Sequence, residues 1–113
     1  MITVYGIPNC SSVKKTRAWL DSHSIDYVFH DFKKQGIDES TIKSWLSHVP
    51  LTVLVNRKGT TWRGLSSEQQ AMSQDEHSAI ELMMQNSSVI KRPVLVFDSG
   101  VIVGHDEEAL ARL

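Results

Sequence analysis

The chain opens with the residues MITVYGIPNC SSVKKTRAWL DSHSIDYVFH DF, numbered 1–32, and this stretch decides the fold. β-Branched and aromatic residues at 2–5 and again at 27–32 predict two strands. Between them, residues 11–22 carry apolar side chains at the spacing of a helix. The inward-facing positions of that helix are Val13, Thr16, Trp19 and Leu20. Strand, helix and strand in this order predict a βαβ unit.

The only cysteine of the chain, Cys10, falls where the first strand gives way to the helix. A helix start offers unpaired N–H groups and a partial positive charge, and both favour a thiolate over a thiol. Lys14 and Lys15 add cationic charge one turn further along. Because the thiolate is the nucleophilic form, this position points to redox or thiol-transfer chemistry. Taken alone, a lone cysteine is more often a small buried apolar residue.

The composition is that of an ordinary soluble globular protein. Of the 113 residues, 41% are apolar and 22% are charged, with a formal net charge of -1, so neither a nucleic acid nor a membrane is an expected partner. The length fits one domain with its own core. No basic lead-in with a long apolar segment opens the chain, so we expect a cytoplasmic protein. One cysteine cannot form an internal disulfide, so the chain has no resolving thiol of its own.

Helices are predicted for the middle of the chain. Ile42, Trp45, Leu46 and Val49 follow helical spacing, behind Asp38 as an N-cap and before Pro50 as a stop. Residues 51–55 are ambiguous. Their β-branched side chains favour a strand, whereas a proline just before them allows a short helix.

Two further segments complete the middle of the chain. Residues 57–64 are polar and bounded by glycine, which predicts a loop that either lines a site or lies on the surface. Residues 73–76 form a capping box ahead of a helix from about 74 to 85. The apolar residues Ile80, Met83 and Met84 are predicted to fill the core from that helix.

The end of the chain predicts a hairpin and a last helix. Two apolar runs, 90–97 and 101–104, flank a three-residue turn. Asp106 can cap a helix that carries Leu110 and Leu113 inward. A βαβ unit followed by a ββα unit predicts an α/β protein of thioredoxin-like fold, one domain over residues 1–113 with a helical insertion at about 38–86. In that fold a proline, often after a cis peptide bond, opens the third strand and lies against the reactive thiol; Pro93 stands in that place.

Four segments in this order resemble a known family. They are YGIPNC at 5–10, the central helices, NRKGTTWR at 56–63 and KRPVLV at 91–96. Together they are similar to the ArsC-type arsenate reductases and Spx regulators, and most of all to the ArsC-related YffB branch. The resemblance spans almost the whole chain. It implies that residues 51–55 are helical and that Cys10 is a reactive thiol.

The resemblance also implies the residues of a site. The catalytic thiol falls on Cys10 and the arginine before the proline on Arg92. A second arginine falls on Arg57, with Arg63 as the alternative. The N–H groups of Ser11, Ser12 and Val13 then form an anion cradle. The full set of expected substrate-binding residues is Asn9, Ser11, Ser12, Lys14, Arg57, Trp62, Arg63 and Pro93.

Three departures from the family pattern bear on the reaction. The histidine that arsenate reductases carry four residues before the thiol is replaced by Gly6. Their third arginine has no match at residues 103–105. Both losses weaken the case for arsenate, because a multiply charged oxyanion beside a thiolate needs several cationic donors. Val13 stands three residues after Cys10, so the two-cysteine switch of Spx regulators is missing.

The sequence therefore predicts a thiol-dependent reductase with Cys10 as its nucleophile. Glutathione is the expected co-substrate, because its thiol can release the covalent intermediate and its carboxylates suit Arg92 and Arg57. Two alternatives stay open: an arsenate reductase that uses glutathione and glutaredoxin, and a non-enzymatic Spx-like regulator that binds RNA polymerase. No tightly bound cofactor and no metal are expected, since the five histidines show no ligand spacing, and we expect a monomer.

Overall fold

Four strands and eight α-helices make up the chain, and the computed structural model describes all of its residues, 1–113. The strands are β1 Ile2–Gly6, β2 Tyr27–Asp31, β3 Val94–Phe97 and β4 Gly100–Val103. The helices are α1 Ser11–Ser22, α2 Phe32–Gln35, α3 Glu39–Leu46, α4 Leu51–Leu54, α5 Thr60–Arg63, α6 Ser67–Ala71, α7 Glu76–Gln85 and α8 Glu107–Leu110. They belong to two units, residues 1–35 with 92–113 and residues 36–91.

The first unit is built on one sheet with the strand order β2-β1-β3-β4. β1 runs parallel to β2, and α1 makes the crossover between them, whereas β1 and β3 and then β3 and β4 are antiparallel. A parallel pair needs a long crossover and an antiparallel pair needs only a tight turn, so the two connections match the two pairings. The predicted βαβ and ββα units are both present, and the thioredoxin-like fold is confirmed.

The core of the sheet unit draws on both ends of the chain. Val4 of β1 and Leu95 of β3 are register partners, and both are buried with Leu20 of α1 and Leu110 of α8. Of the predicted inward positions of α1, Val13, Thr16 and Leu20 are buried, and Trp19 is partly buried and packs against this core. Leu113 was predicted to face inward and is instead 40% exposed, because α8 ends at Leu110 and the last residues leave the helix.

The second unit consists of helices around its own buried side chains. Asp38 caps α3 as predicted, accepting a hydrogen bond from the Thr41 N–H. The family resemblance implies a helix at residues 51–55, and α4 is that helix, although it ends at Leu54 and Val55 leaves it to pair with Ile90. The buried apolar residues of this unit are Ile42, Trp45, Leu54, Val55, Ala79, Ile80, Leu82, Met83, Val89 and Ile90.

Several predicted boundaries and positions are wrong. Phe32 was assigned to the second strand and instead begins α2, where the Asp31 carboxylate accepts the Lys33 N–H. The predicted loop at 57–64 contains α5. α3 ends at Leu46, and Val49 follows in a turn that hydrogen-bonds back to Trp45.

α7 begins later than its predicted capping box. Asp75 caps it by accepting the Ser78 N–H, whereas Ser73 lies buried in a 3-10 turn at Met72–Gln74. Met84 is 42% exposed instead of buried, because the helix turns about 100° per residue and carries it away from the face that Met83 occupies. A true capping box stands at Ser66 and Gln69, ahead of α6, where the spacing S-x-x-Q offered a signal that the prediction missed.

None of the helices combines the length and the apolar character that crossing a membrane requires.

Candidate functional site

Cys10 occupies the N-cap position of α1, directly after the turn that ends β1. Its backbone is extended, and its carbonyl oxygen accepts the Lys14 N–H at 2.9 Å as the first bond of the helix. The Cys10 N–H donates to the Ile7 oxygen at 3.4 Å, which closes the turn through Pro8. The side chain is half-buried, so its sulfur is held in place and still reachable.

The pKa of the Cys10 thiol lies below its ordinary value as the balance of opposed effects. Partial burial raises the pKa and is the largest single influence, but hydrogen bonds from the Val13 N–H, the Arg92 side chain and the Ser12 N–H lower it, with the Arg92 charge adding to them. The Cys10 side chain makes no N-cap hydrogen bond of standard geometry, so the hydrogen bonds from the Ser12 and Val13 N–H groups are weak ones. The result raises the thiolate fraction of Cys10 above that of an ordinary cysteine at the same pH.

Arg92 reaches Cys10 from the start of the third strand. The peptide bond between Arg92 and Pro93 is cis, as the fold predicted, and Pro93 is buried. The Pro93 oxygen accepts the Gly104 N–H at 2.8 Å, which ties the residues before β3 to the end of β4. The hairpin of β3 and β4 therefore positions the Arg92 guanidinium, and the βαβ unit positions the Cys10 sulfur.

The other residues predicted around Cys10 differ in exposure. Ser12 is half-buried and its N–H faces the sulfur, whereas Ser11, Asn9 and Lys14 are exposed. Ser11 opens α1 and Asn9 lies in the preceding turn. The first unit thus brings Ser12, Val13 and Arg92 to Cys10. The exposed residues Asn9, Ser11 and Lys14 lie at the edge of this group.

Gly6 leaves no room for the histidine that arsenate reductases carry at its position. A Cβ built on Gly6 would lie 2.7 Å from Cγ2 of Val13, well inside contact distance. Val13 is fully buried and β-branched, so it has little freedom to move aside. The close approach of β1 and α1 at this point therefore excludes any side chain at residue 6 without rearrangement.

Arg57 and Trp62 meet in the second unit. The Arg57 guanidinium lies 5.6 Å from the centre of the Trp62 ring, and its Nη2 donates to the oxygen and the Oγ of Ser73, both at 3.4 Å. Arg63, the alternative to Arg57, is exposed at the end of α5; its backbone N–H donates to the Gly59 oxygen at 3.3 Å, but its side chain makes no hydrogen bond or ion pair. Of these two arginines, Arg57 is thus the one whose side chain is held by neighbouring residues.

One group in the structure was not predicted from the sequence, and one residue takes a role that was. Ser73 and Gln70 support Arg57 and Trp62, and nothing in the sequence signals that buried arrangement. His105 was predicted to be a surface or structural residue; its Nδ1 lies 2.8 Å from Oγ1 of the buried Thr16. His105 therefore takes a structural role against α1, and no group of three or more His, Cys, Asp or Glu side chains could hold a metal ion.

Comparisons with known proteins connect these features to one family. The sequence profile described as the ArsC family matches residues 5–113. Among solved structures, the YffB protein is 42% identical with a TM-score of 0.94, covering 99% of this chain and 97% of that chain. An arsenate reductase (ArsC)-related protein from Brucella melitensis is 45% identical with a TM-score of 0.75, covering 99% and 95%.

Relatives of known sequence extend the comparison. An uncharacterised protein from Haemophilus influenzae is 39% identical over 108 residues, covering 96% of this chain and 94% of its own length. The global transcriptional regulator Spx from Listeria innocua is 25% identical over 114 residues, covering 99% and 86%. The resemblance read from the sequence, including its closeness to the YffB branch, is confirmed.

Proposed function

We propose, on the premise that this chain belongs to the ArsC family, that it is a thiol-dependent reductase acting through Cys10 and linked to glutathione. One observation carries the proposal: the Val13 N–H and the Arg92 guanidinium lie beside the Cys10 sulfur and lower its pKa, against the opposing effect of partial burial. A merely structural cysteine needs no such environment.

The reaction begins with attack of the Cys10 thiolate on one sulfur of a substrate disulfide. A Cys10–sulfur bond forms, the substrate S–S bond breaks, and the leaving thiolate takes a proton from solvent. Arg92 and the N–H groups at the start of α1 hold the attacking sulfur in its anionic form. The product of this half-reaction is a mixed disulfide on Cys10.

The second half-reaction needs a thiol from outside the chain, because Cys10 is the only cysteine. The thiolate of one glutathione attacks the substrate sulfur of the mixed disulfide, which forms a glutathione–substrate disulfide and releases Cys10 as thiolate. A second glutathione thiolate attacks the glutathione sulfur of that disulfide, which forms glutathione disulfide and releases the second substrate thiol. The substrate disulfide gains two electrons and two protons, and two glutathione thiols lose them. Glutathione is then a co-substrate, and the chain needs no tightly bound cofactor.

Arsenate is a poor match for this site. Gly6 stands where the family carries its histidine, and Val13 packs against it. Residues 103–105 hold no counterpart of the third arginine, and His105 among them is hydrogen-bonded to Thr16. Arg92 is then the cation beside the sulfur, which is little charge for a multiply ionised oxyanion. We expect little arsenate turnover with glutathione and glutaredoxin.

A glutathione-coupled assay tests the proposal. With bis(2-hydroxyethyl) disulfide, reduced glutathione, glutathione reductase and NADPH, the native chain should accelerate NADPH oxidation above the uncatalysed rate. Cys10→Ser should return the rate to background. Mass spectrometry after incubation with oxidised glutathione should find one glutathione per native chain and none on Cys10→Ser. A Cys10→Ser variant as active as the native chain refutes the proposed reductase.

A second candidate function is a non-enzymatic regulator that binds RNA polymerase. It is favoured by the 25% identity to the regulator Spx over 99% of this chain. Capture of RNA polymerase from a bacterial extract by native and Cys10→Ser chains alike, with no turnover in the coupled assay, would favour it over the reductase.

A further inference from the structure

We propose that His105 is a positioning residue for the reaction of Cys10, because it ties α1, which begins next to Cys10, to the segment that carries Arg92. The inference rests on the proposed function in one respect, since it names a further residue on which that reactive thiol depends. Three observations carry it: the place of His105 in the fold, the hydrogen bond that its ring makes, and the position of that bond on α1.

His105 stands one residue beyond the hydrogen bond that closes the open end of the terminal hairpin. In that bond the Gly104 N–H donates to the Pro93 oxygen at 2.8 Å, and Pro93 directly follows Arg92. Gly104 is buried with a φ of 82°, a conformation that residues with side chains rarely adopt. The chain therefore turns away from β4 immediately after its bond to Pro93, and the next side chain is that of His105.

The His105 ring has a partner at each of its nitrogen atoms. Nδ1 lies 2.8 Å from Oγ1 of Thr16, and Nε2 lies 3.7 Å from a carboxylate oxygen of Glu107. The carboxylate favours a proton on Nε2, so that Nδ1 accepts the Thr16 hydroxyl. The His105 side chain is 18% exposed and Thr16 is 1% exposed, so solvent is a poor substitute for either partner. This bond therefore holds His105 firmly against α1.

Thr16 lies on the face of α1 that sets the position of the helix start. It stands three residues after Val13, and residues three apart share one face of a helix. Val13 packs against Gly6 of β1, but an apolar contact has no preferred direction and leaves the helix free to slide. The hydrogen bond of Thr16 is directional, so it removes that freedom. It thereby holds the start of α1, with Cys10, at a fixed place relative to the residues before β3.

Of the groups that lower the pKa of Cys10, Arg92 is the one that depends on this arrangement. The Ser12 and Val13 N–H groups belong to the helix that Cys10 caps, so they move with the sulfur. Arg92 belongs to the segment before β3, which His105 joins to α1. The interaction of the guanidinium with the sulfur weakens with distance and misalignment, so a small shift of α1 weakens it first. Loss of the His105 bond should therefore act on the thiolate through Arg92.

Alkylation of Cys10 by iodoacetamide, followed by intact mass across a pH series, tests the inference on the full chain. At neutral pH, His105→Leu should slow alkylation about threefold, because a higher pKa leaves less thiolate. Thr16→Val removes the other partner of the same bond at nearly the same volume and should slow alkylation as much. His105→Asn places an amide near the position of Nδ1 and should keep the native rate. Circular dichroism verifies that each variant is folded.

The same substitution in the Arg92→Met chain separates positioning from a merely structural role. If His105 acts through Arg92, His105→Leu should cause no further slowing there, whereas independent contributions would multiply. His23→Leu is the matched control. His23 is an exposed histidine at the other end of α1, and its Nδ1 lies 2.8 Å from the Trp19 oxygen of the same helix. Its replacement should leave the alkylation profile of Cys10 unchanged.

Several outcomes overturn the positioning role of His105. They are native alkylation in His105→Leu and Thr16→Val, an equal loss in His105→Asn or in the His23→Leu control, and a further loss of the same size in the Arg92→Met chain. The glutathione-coupled assay keeps this result separate from the proposed function. If Cys10 turns over while alkylation ignores the variants, the positioning role falls and the reductase stands. If alkylation follows the variants but Cys10 gives no turnover, the reductase falls and the positioning role remains.

Discussion

At the scale of single residues, the state of the Cys10 sulfur depends on groups that reach it from both ends of the chain. The Val13 and Ser12 N–H groups come from the helix that Cys10 itself begins, and Arg92 comes from the entry to β3. Partial burial works against all of them by penalising the charged form. The net lowering of the pKa therefore depends on Arg92 being held in place.

Replacing Arg92 by Met should make Cys10 less reactive at neutral pH. Its guanidinium donates a hydrogen bond and a favourable charge to the thiolate, so its loss raises the Cys10 pKa. At a pH below the pKa the thiolate fraction falls as the pKa rises, so the rate of alkylation by iodoacetamide at neutral pH should drop several-fold. The midpoint of the rate profile should move to higher pH.

Arg112→Met provides the matched control for this measurement. Arg112 is an exposed arginine of the same unit that pairs with Glu108, and its removal should leave the alkylation profile unchanged. A profile that does not move in Arg92→Met, or that moves equally in both variants, contradicts the assignment of Arg92 to the thiolate.

At the scale of elements, the reactive turn depends on how β1 and α1 pack where they meet. β1 ends at Gly6 and α1 begins at Ser11, so the five residues from Gly6 to Cys10 reverse the chain. Gly6 is buried against Val13 in the first turn of α1, and Val13 has no exposed surface. This contact sets how closely the helix start approaches the sheet, and hence the position of the sulfur.

Gly6→Ala should destabilise the protein by about 1–3 kcal/mol, the usual cost of overpacking a core. The added Cβ would lie 2.7 Å from Cγ2 of Val13, whereas at Gly64 its nearest neighbours would be carbonyl oxygens at 3.5 Å. Gly64→Ala should therefore change the free energy of unfolding by no more than about 0.5 kcal/mol. Urea unfolding measures both. Equal effects of the two substitutions would contradict this account of the β1–α1 contact.

At the scale of the whole molecule, the sheet unit is assembled from two distant parts of the chain. Residues 1–35 and 92–113 form it together, and β1 and β3 pair between those parts. Its core joins Val4 and Leu20 from the first part to Leu95 and Leu110 from the second. The βαβ unit that carries Cys10 is thus completed only when the final hairpin and α8 are in place.

Leu110→Ala should therefore cost about 2–5 kcal/mol of stability, a large part of the roughly 5–15 kcal/mol of a typical domain. Leu110 is 1% exposed in the core, whereas Leu113 is 40% exposed three residues later. Leu113→Ala is the matched control and should cost less than about 1 kcal/mol. Thermal and urea unfolding of the two variants should separate them clearly. A loss at Leu113 as large as that at Leu110 would mean that α8 contributes to the core in another way.

Local patterns in the sequence were enough to predict much of this architecture. The βαβ unit, the Asp38 and Asp106 caps and the terminal hairpin follow from periodicity, capping and turn chemistry within a few residues. Residues 51–55 were ambiguous on those grounds, because their propensity favours a strand while their place after a proline allows a helix. The family resemblance was needed to assign them.

What the sequence determined by itself was the order of the elements and the place of Cys10 at a helix start, because spacing and capping act between near neighbours. Tertiary structure alone decided that Met84 faces outward and that Ser73, predicted as a cap, instead lies buried and supports Arg57. It also decided that Arg92 donates to Cys10. Those contacts join groups far apart in the chain, and they exist only once packing has fixed the distance between their backbones.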